Sequence, residues 1–71
     1  MNGQDPTTPD DILQAALARE QEAYDFYERL ATRCHIDFVR ELLERLKNEE
    51  SKHIHLVQDI IARLNLGQDL V

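Results

Sequence analysis

The chain has 71 residues, one cysteine and a net charge of -6, which limits it to one domain and excludes an intrachain disulfide. The excess of acidic side chains argues against nucleic acid and anionic membranes as partners and favours cations. No apolar stretch approaches the roughly 20 residues that span a bilayer, and no signal peptide is recognisable, so we expect a cytoplasmic protein.

A long helix is the first predicted element. Residues 1–7 are polar and show no apolar periodicity, so they are predicted to form a flexible leader. Thr8 and Pro9, followed by two acidic residues, are typical of a helix start, because threonine caps the helix and proline suits its first position. Apolar residues then recur every three or four positions, which predicts helix A over about residues 9–32.

The second predicted element is a longer helix. The apolar spacing of three and four resumes after a polar patch and predicts helix B over about residues 37–65. Gly67 supplies a stop signal, and residues 67–71 form a short tail. Neither segment alternates like a strand, so residues 8–66 are predicted to be an all-α, antiparallel helical hairpin.

The hairpin is predicted to dimerise. Each helix carries one apolar face, and two helices side by side leave part of that face in water. A domain of this size also needs reinforcement from a metal or from oligomerisation when it has no disulfide. A homodimer that forms a four-helix bundle would cover the exposed face.

Three polar residues interrupt the apolar faces. Glu20 lies in the stripe of helix A, and Glu50 and His53 occupy seam positions of helix B, where apolar side chains are expected. An ionised carboxylate removed from water costs several kcal/mol in proteins, so a compensating partner is expected. His53 follows Glu50 by three residues, which places both on one helix face and lets them grip one ion.

The spacing also puts these residues at one level. Glu20 and Glu50 each stand fifteen residues from His35 in the turn, which is roughly 22 Å from the bend on either helix. Two-fold symmetry would gather four carboxylates and two imidazoles, the ligand set of di-iron and di-manganese bundles. Carboxylate and imidazole ligands suit iron, manganese or zinc. The sequence therefore predicts a pair of ions per dimer.

Other interpretations of these residues stay open. The trio could form a buried Glu–His ion pair, or Glu20 could hydrogen-bond to Tyr24 or Tyr27 of a neighbouring chain. The seam polar residues could also fix the register of a non-enzymatic helical dimerisation module. Glu49 flanks the seam as an accessory ligand or a solvated acid. A larger set is predicted to be solvated surface: His55, Arg40, Glu41, Glu44, Arg45 and Lys47.

The segments LAREQEAYDFYERLA and LKNEESKH resemble the ferritin-like superfamily, particularly its rubrerythrin branch and the encapsulated ferritins. The resemblance covers about residues 13–64. Glu20 is followed seven residues later by Tyr27, and Glu50 and His53 form the Glu-x-x-His pair of the next helix. Encapsulated ferritins share the thirty-residue separation between the two acids.

The resemblance implies a di-iron ferroxidase centre at a dimer interface. Our hypothesis for that centre is that Glu50 bridges the ions and that Glu20 and His53 are terminal ligands. Tyr27 would either orient a ligand as a hydrogen-bond donor or simply pack in the core. The resemblance further implies larger rings of dimers and residence in an encapsulin shell. A metal-recruiting outer site of encapsulated ferritins maps to three residues, of which Glu22 alone keeps a carboxylate. Peroxide reduction of the rubrerythrin kind is the alternative activity.

Overall fold

The computed structural model describes residues 8–67 of the chain. Helix α1 spans Pro9–Arg33 and helix α2 spans Asp37–Asn65, and the two pack against each other as a hairpin. The predicted all-α hairpin is confirmed, and the described residues contain no strand. The connection is three residues long, one fewer than the predicted bounds of the two helices leave. The predicted leader and nearly all of the predicted tail lie outside the described residues.

Local sequence explains where the helices begin. The Thr8 hydroxyl oxygen accepts a hydrogen bond of 3.0 Å from the backbone N–H of Asp11, and Pro9 takes the first helical position. This satisfies one of the free N–H groups of the first turn. Helix α2 has no side-chain cap; instead the Ile36 carbonyl accepts hydrogen bonds from the backbone N–H groups of Val39 and Arg40.

Gly67 ends α2 as its sequence position predicts. Its φ of 72° lies in the left-handed region, which glycine adopts without steric cost. In that conformation its backbone N–H donates to the Leu64 carbonyl at 3.0 Å, and the N–H of Leu66 donates to Ala62 at 3.0 Å. Carbonyl groups of the last turn are thereby satisfied.

The hairpin leaves most of its large apolar side chains in contact with solvent. Among the described residues, Ala31 is the one that is fully buried, at 2% exposure. Phe38 is 76% exposed, Leu56 61% and Leu42 50%. Neither α1 nor α2 offers an apolar stretch long enough to cross a membrane. One chain therefore has an apolar face without an enclosed core.

Candidate metal centre

The interface between the two helices brings together Glu20, Glu50 and His53. One carboxylate oxygen of each glutamate and one ring nitrogen of His53 lie within 4.8 Å of one another. His53 Nδ1 is 3.2 Å from Glu20 Oε1 on the opposite helix and 3.4 Å from Glu50 Oε1 on its own helix. The equal spacing of the acids from the bend thus places them at one level, as predicted.

The three side chains differ in exposure. Glu50 is largely covered, with 18% of its side chain exposed, whereas Glu20 keeps 30% and His53 keeps 50%. The Oε1 atom of Glu50 is buried and accepts no hydrogen bond from the described residues. A buried carboxylate oxygen without a donor is uncommon in folded proteins, because its desolvation is then uncompensated. Within the described part of the chain, Glu50 Oε1 therefore lacks a compensating donor or cation, and the trio opens toward solvent through Glu20 and His53.

Close approach of the two acids separates their proton affinities. The close approach of the Glu50 carboxyl group lowers the pKa of Glu20, and His53 adds to that effect. The same close approach of Glu20, together with burial and the charge of Glu20, raises the pKa of Glu50. Pairing with Glu20 first, and with Glu50 after it, raises the pKa of His53. Two like charges at this distance favour a cation, either a proton or a metal ion, between them.

A metal ion fits this donor set. Carboxylate oxygen and imidazole nitrogen are the ligands that iron, manganese and zinc share in proteins. An ion beside Glu50 would compensate the Oε1 atom, which accepts no hydrogen bond within residues 8–67, and would neutralise the repulsion between the acids. Three protein ligands leave coordination positions open, as a reactive rather than a purely structural site requires.

Three further residues from the sequence prediction lie apart from the trio. Glu22 is exposed and pairs with Arg19 at 3.8 Å, while Glu49 pairs with Lys52 at 3.4 Å. Neither carboxylate belongs to the cluster that could hold an ion. Tyr27 packs edge-on against Phe26, with ring centroids 5.5 Å apart. No hydrogen bond from Tyr27 to the trio is present within residues 8–67, so its role stays a prediction.

The prediction that Lys47 is solvated surface is wrong. Its side chain is 17% exposed, and its Nζ lies 2.7 Å from Glu28 Oε1 and 2.9 Å from Glu44 Oε1. The ammonium also stands 5.8 Å from the centroid of the Tyr24 ring. A long lysine stem packs against apolar surface while its head reaches polar partners, so a charged residue can occupy a seam. One feature of the sequence could have predicted this partly buried position: Lys47 lies three residues before Glu50, on the same side of α2.

Comparison with known proteins gives the family of the chain. The family model described as Rubrerythrin matches residues 11–71. The chain belongs to the rubrerythrin family. Rubrerythrin membership supports a ferritin-like, iron-binding protein of the di-iron type in general. No curated protein and no solved structure matches the chain.

Proposed function

We propose that two copies of this chain form a dimer that binds two iron ions with Glu20, Glu50 and His53 of each copy and oxidises Fe(II) to Fe(III). The observation that carries this proposal is the trio itself. Its ligand atoms lie within 4.8 Å of one another, and it includes a buried carboxylate oxygen without a hydrogen-bond donor. Family membership supports iron as the ion.

The position of His53 beside exposed apolar side chains supports the proposed dimer. On α2, Leu42 points within about 20° of His53, and Phe38 and Leu56 point within about 60° of it. Each of these three side chains is at least half exposed. His53, which is half exposed, and these exposed apolar side chains therefore share one surface, which is called the apolar face. A second copy laid on the apolar face would cover both.

Two-fold symmetry makes the proposed site complete. One copy supplies two carboxylates and one imidazole, too few ligands for two ions that each take several. Two copies supply four carboxylates and two imidazoles, as in di-iron helical bundles. Glu50, the most covered of the three, is proposed to bridge the ions, with Glu20 and His53 as terminal ligands.

The chemistry follows from the electron count. Two bound Fe(II) ions supply two electrons, which with two protons convert O2 to H2O2, or H2O2 to two molecules of water. The carboxylates would stabilise the additional positive charge of Fe(III), because anionic oxygen ligands favour the more highly charged ion. Tyr27 is proposed to orient a ligand as a hydrogen-bond donor. Ring assembly and an encapsulin shell, which the family resemblance implies, remain proposals.

The test is anaerobic loading with Fe(II) followed by O2 or H2O2, with Fe(III) absorbance and oxidant consumption as readouts. Glu50→Ala should lose both iron binding and oxidation. Glu41→Ala is the matched control, because Glu41 is exposed and points about 180° from Glu50 around the same helix. A Glu50→Ala protein that oxidises iron normally would refute the proposed centre. Faster oxidation by H2O2 than by O2 would favour the peroxidase alternative.

A dimerisation module without metal chemistry is the second candidate, and the exposed apolar face favours it. In that case the polar trio would serve to fix register. Replacing Glu20 and Glu50 together by leucine separates the two functions. A module should keep its assembly and gain stability, whereas the proposed ferroxidase should lose iron and activity.

A further inference from the structure

The cluster formed by Lys47, Glu28, Glu44 and Tyr24 lies beside the proposed metal centre. Lys47 stands three residues from Glu50 on α2, and Tyr24 stands four residues from Glu20 on α1. In an antiparallel hairpin both offsets run toward the bend, so this cluster forms the layer next to the ligands. His53 and Lys47 flank Glu50 by about 60° on opposite sides. The cluster therefore lies away from the apolar face.

The contact between Lys47 and Glu28 joins the two helices. Lys47 Nζ and Glu28 Oε1 are 2.7 Å apart and come from α2 and α1 respectively. In contrast, the Lys47–Glu44, Lys52–Glu49 and Arg40–Asp37 pairs each lie within one turn of a single helix. A pair within one helix leaves that helix free to slide along its neighbour. A pair between helices opposes such sliding.

Axial register matters for a site divided between two helices. Apolar contacts are non-directional, and among the described residues Ala31 alone is fully buried, so packing constrains sliding only weakly in one chain. A slip of one turn would move Glu20 about 5.4 Å away from Glu50. The His53–Glu20 contact opposes a slip, but an incoming ion would take over those same atoms. The Lys47–Glu28 contact uses none of the ligand atoms.

We propose that Lys47 is a positioning residue, whose pairing with Glu28 across the helix interface holds Glu20 level with Glu50 before and after metal binds. This inference rests on the proposed metal centre. Lys47 is charged at neutral pH, and the hydrogen bond to Glu28, and then that to Glu44, raises the pKa of Lys47 further. The Tyr24 ring face adds a further attraction for the ammonium.

A matched pair of substitutions tests the role of register. Glu28 and Glu44 are both 48% exposed and contact the same ammonium at 2.7 and 2.9 Å. Glu28→Gln removes the contact between helices, whereas Glu44→Gln removes the contact within α2. A merely structural ion pair predicts similar effects of both. Control of register predicts that metal affinity falls in Glu28→Gln and not in Glu44→Gln.

The measurement is anaerobic titration with Co(II), followed by its visible absorption spectrum, at one protein concentration with helicity checked by circular dichroism. Glu28→Gln should weaken Co(II) binding about fivefold or more, and Glu44→Gln should stay within about twofold of the unsubstituted protein. Lys47→Arg should retain affinity, because arginine can form the same pair. The exchange Glu28→Lys with Lys47→Glu should recover part of the affinity.

The outcomes separate this inference from the function on which it rests. Normal Co(II) binding by the unsubstituted protein, with equal affinities in Glu28→Gln and Glu44→Gln, would overturn the positioning role alone. If the exchange variant folds but fails to recover affinity, that also contradicts the role. No Co(II) binding by the unsubstituted protein would overturn the metal centre itself. We expect the melting temperature to fall by a similar amount in Glu28→Gln and Glu44→Gln. The affinity for Co(II) should fall in Glu28→Gln alone.

Discussion

Leu42→Ala tests whether the apolar face is a dimer interface. Leu42 is 50% exposed in the single chain and points within about 20° of His53, so a second copy that completes the trio must cover it. The substitution removes three carbon atoms, which contribute about 0.8 kcal/mol each when buried from full exposure. Half of that contribution is already realised within the hairpin, which leaves roughly 1 kcal/mol per copy for the dimer contact.

Both copies carry the substitution, so the dimer should lose about 2 kcal/mol and its Kd should rise about 30-fold. Sedimentation equilibrium over a range of concentrations measures this change. Leu66→Ala is the control, because Leu66 is 72% exposed but points about 140° from His53. An unchanged Kd in Leu42→Ala, or an equal rise in Leu66→Ala, would refute the assignment of this face.

Three further predictions concern the ligands and the metal. Glu50→Gln should weaken iron binding more than about tenfold. It should nevertheless raise the melting temperature of the metal-free protein, because it removes the repulsion between Glu50 and Glu20. A lower melting temperature in calorimetry would contradict this. Chelation of the metal should shift the dimer toward monomer by mass action, and light scattering that shows the same mass with and without chelator would argue against linkage. Tyr27→Phe should slow Fe(II) oxidation in stopped-flow absorbance without changing iron affinity, whereas an unchanged rate would reduce Tyr27 to core packing.

The fold could be predicted from short-range signals. Thr8 and Pro9 satisfy the needs of a helix start, and Gly67 satisfies the need for a left-handed residue at a helix end. These signals depend on backbone hydrogen bonds within one turn, so they can be recognised in the sequence without knowledge of the tertiary structure. The recurrence of apolar residues every three or four positions predicts the two helices, and the short turn between them predicts that they are neighbours.

The trio could be predicted because its polarity conflicts with its position. Glu20, Glu50 and His53 replace apolar residues on the seams, and their equal distance from the bend puts them at one level. Their partial exposure could not be predicted, because helical periodicity identifies an apolar stripe without telling which part faces the partner helix and which part remains open. Glu20 and His53 belong to the open part in this chain.

The environment of Lys47 could not be predicted from the spacing of apolar residues, for a different reason. A lysine stem is apolar and its head is charged, so the same residue fits a surface or a seam edge. Its location depends on Glu28, nineteen residues away, and such a pairing appears only when the register of the two helices is known. Long-range ion pairs of this kind carry no periodic signature in the sequence.

Metal binding and dimer formation are expected to be linked, because in the proposed dimer each copy would contribute half of the ligands and cover half of the exposed apolar surface. A ligand that binds only the assembled form stabilises that form in proportion to its concentration and affinity. Dimers should therefore persist at lower protein concentration when iron is present. The melting temperature should depend on both protein and iron concentration.

Native mass spectrometry of the protein titrated anaerobically with Fe(II) tests the central claim most directly, because it counts chains and ions in the same particle. The proposed centre predicts that a species with two chains and two iron ions accumulates, and that Glu50→Ala abolishes it while Glu41→Ala does not. A single chain that retains its own iron ion, or a dimer that binds none at saturating Fe(II), would contradict a metal centre shared between two copies.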